Sequence, residues 1–294
     1  MSIVNNPLFI GADPFLLYHE GVYYMYFTGG VNKEKQGLLV YSSTDLQNWE
    51  NRGYCLDAAD VMGEKDFWAP ELICRNGRFY MVYVADAHLG VAVADSPLGP
   101  FKQEEKKWLS ELNAIDGHFF LDDDGQMYLY YVRFDNANVI YATKMSEDLL
   151  SIDEANEVRL IDAKEEWETR DCLVAEGPFV LKHKGLYYLT YSCNHTRSQD
   201  YAVGYAVSDK PLGPFKKYSG NPILHKNETV VGVGHHSFAL AADGETLLCA
   251  YHSHMNREQA FPRIVCIDPV EFVSKEGEAD ILVIHGPSAQ TNPL

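Results

Sequence analysis

Short apolar runs, most of them aromatic or β-branched and each opened by a glycine, recur along the chain. They read GVYYMYFTG from residue 21, GRFYMVYVAD from 77, GQMYLYYVR from 125, GLYYLTYSC from 185 and GETLLCAYHSH from 244. A period of two bounded by turn residues predicts β-strands joined by tight hairpins. No helical period persists over a convincing length; AKEEWETRD at 163–171 is the nearest candidate for a short helical turn.

The surroundings of these runs are alike as well. Each is preceded by another short strand pattern: FLLYHEG, ELICRNG, HFFLDDDG, PFVLKHKG and SFALAADG. Four are followed by a third strand and a polar turn, as in LLVYSSTDLQNWE and GYAVSDKPLGPFKK, and the fifth by RIVCIDPVEF. The turn glycines Gly21, Gly77, Gly125, Gly185 and Gly244 are 56, 48, 60 and 59 residues apart. Five modules of about four short strands predict an all-β chain, a five-bladed β-propeller occupying residues 1–294 as one domain. A sandwich would use short strands too, but would not repeat a hairpin plus third strand five times.

Composition then narrows the partners. With 46% hydrophobic residues the chain is globular, and a net charge of −18 disfavours nucleic acid or an anionic membrane surface. Cysteines 55, 74, 172, 193, 249 and 266 form no metal-type spacing and read as free thiols. No basic segment followed by an apolar stretch comes after Met1, so the expectation is cytoplasmic, although a chain cleaved from a signal peptide would read the same.

Counting back eight or nine residues from each turn glycine reaches Asp13, Trp68, Asp116, Glu176 and His235. The innermost strands of a propeller all run the same way along the channel, so equivalent positions at their starts predict a ring around one mouth. One acid before a strand is ordinarily a turn residue. Three acids from separate blades on one rim repel each other, and such clusters mark functional sites. Two carboxyl groups across a glycosidic bond are the minimum for its hydrolysis, one protonated and one ionised. Trp68 would offer an aromatic face to a sugar.

The motifs ADPF, FWAPEL, IDGHFF, EGPFV and GVGHHSF, in this order from residue 10 to about 272, together resemble glycoside hydrolase family 43. That resemblance implies the five-bladed fold and single-displacement hydrolysis with inversion. It implies Asp13 as general base, Asp116 as the group that tunes and positions the donor, and Glu176 as general acid. His235 would lie at the channel axis and is a candidate ligand for a structural calcium or other ion, none being required for the chemistry. Its neighbour His236 would pack into the core. From the last blade Arg263, in preference to Arg257, would reach the site. His252 and His254 have metal-like spacing without a third ligand nearby. Inversion requires Asp13 and Glu176 about 6.5–9.5 Å apart.

The implied substrates are arabinose- or xylose-containing saccharides, with terminal α-L-arabinofuranosyl or β-D-xylosyl residues released. An endo-acting arabinanase is the alternative, and a non-catalytic carbohydrate-binding propeller the reading from another class.

Overall fold

Five small antiparallel sheets stand in a ring in the computed structural model, which describes residues 4–29 and 36–288. The first blade comprises Phe15–His19, Val22–Phe27, Gly37–Ser43 and Glu50–Asp57, and the second Trp68–Arg75, Arg78–Ala85 and His88–Ala94. The third is Ala114–Leu121, Met127–Phe134, Asn138–Lys144 and Val158–Ile161; the fourth is Ala175–His183, Leu186–Cys193, Ala202–Ser208 and Lys216–Lys217. In the fifth, Gly234–Leu240, Leu247–Ser253 and Ile264–Val273 are joined by Phe9–Ile10 and Ile281–Ile284, which both pair with Ile264–Val273. A strand from the start of the chain thus closes the ring. The helical candidate at 163–171 contributes one 3₁₀ turn, Glu166–Glu168.

Turn chemistry explains the hairpins. Glu20-Gly21, Asn76-Gly77 and Lys184-Gly185 are two-residue turns in which both φ angles are positive, the geometry whose twist matches paired strands. The third and fifth blades use longer turns, with Asp122 N–H bonded to Gln126 O and Ala241 N–H to Thr246 O.

The period of two is weaker than the sequence suggests. In Met127–Phe134 every residue but the last is buried, because a blade is covered on both faces by its neighbours. Tyrosines fill this interior and carry their hydroxyls to acceptors at its edges: Tyr26 donates to Pro97 O at 2.6 Å and Tyr83 to Met62 O at 2.9 Å. Such partners remove the cost of burying a phenol.

Among the described residues the second blade has three strands and no fourth. Pro97, Gly99, Pro100 and the charged run QEEKK follow its third strand, and they break pairing to isolated bridges at Phe101 and Lys102. Among the described residues, no helix is long and apolar enough to cross a membrane.

Candidate active site

A backbone irregularity repeats at the start of every innermost strand. Asp13, Ala69, Asp116, Gly177 and His235 all have positive φ, between 39° and 55°. In the second to fifth blades strand pairing shifts register there, between Trp68 and Glu71, Ile115 and His118, Glu176 and Phe179, and Gly234 and Ser237. A bulge with a left-handed residue re-aims a side chain at a sheet edge, and four of these five residues are not glycine. Together with the one or two residues that follow each, they line a channel cavity of about 20 Å³, on the order of one water.

The ring is therefore Asp13, Ala69, Asp116, Gly177 and His235, which differs from the sequence-based expectation at two places. Trp68 and Glu176 lie one residue upstream of it. The longer turns of the third and fifth blades are the reason, since counting nine from the glycine fits those blades and overshoots the two-residue turns. Trp68 stands 37% exposed at the mouth and does not line the channel. Glu176, displaced from the ring position, points its carboxyl instead at two donors outside the ring. Tyr201 Oη donates to its Oε1 at 2.8 Å and Asn138 Nδ2 to its Oε2 at 3.2 Å.

The three acids do come together. The Gly177 N–H, next in chain to Glu176, donates to Asp116 Oδ2 at 3.0 Å. Nδ1 of His235 is 3.4 Å from Asp13 Oδ1 and 3.9 Å from Asp116 Oδ2. Asp13 is clamped from several sides. Arg263 Nη1 lies 2.7 Å from its Oδ1, Thr28 Oγ1 donates to its Oδ2, and its N–H donates to His252 Nδ1 at 3.2 Å. With Nδ1 accepting, the proton of the His252 ring sits on Nε2, which faces Thr196 Oγ1 at 3.3 Å. Thr196 Oγ1 also accepts from Arg263 at 3.3 Å. Thr28 in turn accepts from the Ala69 N–H at 3.1 Å, tying the first blade to the second.

Electrostatics separates the three groups. Burial alone would raise Asp13, but the Arg263 guanidinium beside it, the largest opposing influence, holds it well below the usual range. Asp116 is pushed well above it, first by burial and then by the charges of Glu176 and Asp13. Glu176 is raised to about 7; burial is the main cause and the Asp13 charge adds to it, while the Tyr201 and Asn138 hydrogen bonds and Arg263 oppose it. Desolvation and the Asp13 charge, in place of the Asp116 neighbour that the family resemblance implies, are what raise Glu176. The site thus holds one ionised carboxylate and two carboxyls favouring protonation.

Burial favours the neutral form of the histidines around the site. Burial lowers His235, and lowers His252 and His236 to about 3. His252 is sandwiched in a stack, 5.5 Å from the Tyr201 ring and 6.2 Å from His235. His254 is occupied by the Thr196 carbonyl at 2.9 Å. His236 packs edge-on against Phe238 and bonds Thr190 Oγ1 at 2.6 Å, leaving a buried Nδ1 without a protein partner. Arg257 is exposed and bonds the carbonyls of Asn227 and Glu228.

For the ion expected on the axis, calcium would need six to eight oxygen ligands. Asp13, Glu71 and Asp116 line the channel together with His235 and His236, but Asp13 is engaged by Arg263 and Glu71 by His118, and among the described residues no group of three or more His, Cys, Asp or Glu is placed to hold a metal ion.

Tyr201, Asn138, Thr28, Thr196 and the role of His252 were not legible beforehand. Each is a single residue outside the repeated hairpin address, so no internal comparison singled it out.

Comparison with known proteins completes the picture. The sequence profile of "Glycosyl hydrolases family 43" matches residues 4–277. A beta-D-galactofuranosidase of Aspergillus niger is 27% identical over 91% of this chain and 82% of its own length. An arabinoxylan arabinofuranohydrolase of Paenibacillus polymyxa is 30% identical over 79% of this chain, which spans only 44% of that relative. The crystal structure of an endo-1,4-beta-xylanase from Bacteroides thetaiotaomicron superposes with a TM-score of 0.90 at 38% identity, covering 95% of this chain and 96% of that one. A thermostable family-43 glycoside hydrolase gives 0.87 at 39%, covering 99% and 98%.

Proposed function

The chain belongs to glycosyl hydrolases family 43, and from that premise we propose that it releases terminal α-L-arabinofuranosyl or β-D-xylosyl residues from plant cell-wall glycans, with inversion. The observation that carries this reading is the divergence of two acids on one mouth. Asp13 is held ionised by Arg263, while burial keeps the Glu176 proton to about 7.

In the proposed reaction Asp13 accepts a proton from water as the water oxygen attacks the anomeric carbon. The glycosidic C–O bond breaks, and Glu176 gives its proton to the leaving oxygen. Asp116, protonated or sharing a proton with its neighbours, holds the Gly177 amide and so the backbone carrying Glu176. Arg263 keeps Asp13 charged and oriented. Every step is assigned to a side chain, and the geometry required is a water between Asp13 and Glu176.

Release of 4-nitrophenol from the aryl α-L-arabinofuranoside or β-D-xyloside, with the anomer of the first-formed sugar read by NMR, tests the proposal. A folded sample inert on both, or a product of retained configuration, would overturn it. A second reading, endo action, draws on the solved structure described as an endo-1,4-beta-xylanase. It predicts oligosaccharides and not monosaccharides as first products from arabinoxylan, xylan or arabinan.

A further inference from the structure

A further cavity lies away from the acid trio. It measures about 750 Å³ and runs along the outer edge of the second blade, sharing no lining residue with the channel ring. It exists because that blade lacks a fourth strand. Past Ser96 the chain instead crosses the edge and touches it at intervals. Val93 and Lys102 exchange backbone hydrogen bonds of 2.8 and 3.0 Å, Gln103 Nε2 donates to Val91 O at 3.0 Å, and Leu109 N–H to Leu89 O at 2.8 Å.

We propose that this groove is a second saccharide-binding site, which holds an uncharged stretch of the polysaccharide while the channel mouth cleaves a residue from it. The inference rests on the proposed function for the identity of the ligand. Two observations support it. The apolar wall is built from Tyr80, Val91, Val93, Trp108, Leu109 and Leu150. Trp108 stacks on His88 with ring centroids 5.2 Å apart and planes at 24°, which fixes an aromatic edge at the groove in advance of any ligand. Aromatic surface held this way meets the C–H face of a sugar with little ordering cost.

Charge excludes the main competitors. The basic residues lining the groove are engaged: Arg78 with Asp95 at 3.3 Å, Lys107 with Glu105 at 3.7 Å and Lys102 with Asp60 at 3.2 Å. Glu104 and Asp148 add negative charge to the same lining, so an anionic ligand is repelled. A protein strand cannot simply add to the blade, because the crossing segment already holds its outer edge at Leu89, Val91 and Val93. The volume lies within the range of about 300–1,000 Å³ usual for small-ligand sites. A polymer engaged at both places gains by effective concentration, whereas a monomeric aryl glycoside does not.

The test compares the full chain with Trp108→Ala and with Leu150→Arg, which places a charged side chain in the groove. Native electrophoresis through gels containing soluble arabinoxylan reads binding, and kinetics on arabinoxylan and on the aryl glycosides read its consequence. The expected result is retardation of the wild type that falls at least threefold in both variants, with a threefold or larger loss of kcat/KM on the polymer and none on aryl glycosides. Circular dichroism and melting temperature show whether each variant is folded; if Trp108→Ala is not, Leu150→Arg decides. An unretarded wild type, retardation unchanged in the folded variant, or stronger retardation by polygalacturonate than by arabinoxylan would overturn the proposal. If the wild type cleaves no glycan or aryl glycoside, the proposed function fails separately, and the retardation comparison still decides the groove.

Discussion

Replacing Tyr201 by Phe removes one oxygen from a fully buried ring and leaves its stack on His252 in place. The lost contact is the 2.8 Å hydrogen bond to Glu176 Oε1. That bond stabilises the carboxylate form and opposes the effect of burial on Glu176. A hydrogen bond to a charged group contributes about 1.5–3 kcal/mol. At about 1.36 kcal/mol per pKa unit, its loss raises Glu176 by roughly one to two units above its value of about 7. Because the general acid must be protonated, the alkaline limb of kcat/KM moves to higher pH by that amount on substrates with poor leaving groups. The plateau falls at the same time, since the carboxyl is less firmly placed and is a weaker acid. Activated aryl glycosides, which need less protonation, show a shallower limb. The assay is a pH profile of kcat/KM on an arabino-oligosaccharide or xylo-oligosaccharide and on the 4-nitrophenyl glycoside, with melting curves as control. A folded variant whose alkaline limb stays put, or moves to lower pH, would refute the account of Glu176 as a proton donor tuned by Tyr201.

Other expectations follow from the same geometry. Glu176→Gln should abolish turnover of substrates with poor leaving groups, by about 10²-fold or more, and lose less on activated aryl glycosides; equal losses on both would count against its role. Asp13→Asn should lose activity on every substrate to a similar degree, as initial rates on both substrate types will tell, because water attack is common to all. Stability should also depend on Glu176. Its folded pKa, about 7, lies above the ordinary 4.5, so the folded state binds the extra proton and stability falls as pH rises from about 4.5 to 7. Glu176→Gln should flatten that slope and raise the melting temperature near pH 7 relative to wild type, as differential scanning calorimetry across the range will show; an unchanged slope would argue that the shift is absent.

Much of the architecture is legible in the chain because hairpins are written locally. Glycine at a two-residue turn and the aromatic run that follows are both short-range signals, and five copies of them imply a ring. What fails to read is what local signals do not carry. The missing fourth strand of the second blade reflects proline and charge in one connection. The closing strand Phe9–Ile10 is two residues long and pairs with residues more than 250 positions away. At the site, the addresses of Asp13, Asp116 and His235 follow from repetition, whereas the register of Trp68 and Glu176 depends on turn lengths that shift a count by one. Tyr201 and Asn138 reach Glu176 from a loop end and a third strand, and only the assembled blades bring them there.

Ring closure by the leading strand has a consequence for when this catalyst comes into being. Ile10 pairs with Ile264, and Gly11 N–H donates to Arg263 O, so the partners of the Asp13–Arg263 ion pair flank the same seam. A nascent chain emerging from the ribosome carries its proposed base long before the guanidinium that keeps it charged has been synthesised. Hydrolytic competence therefore arrives in the last step of assembly, and turnover doubles as a gauge of how many molecules have locked shut.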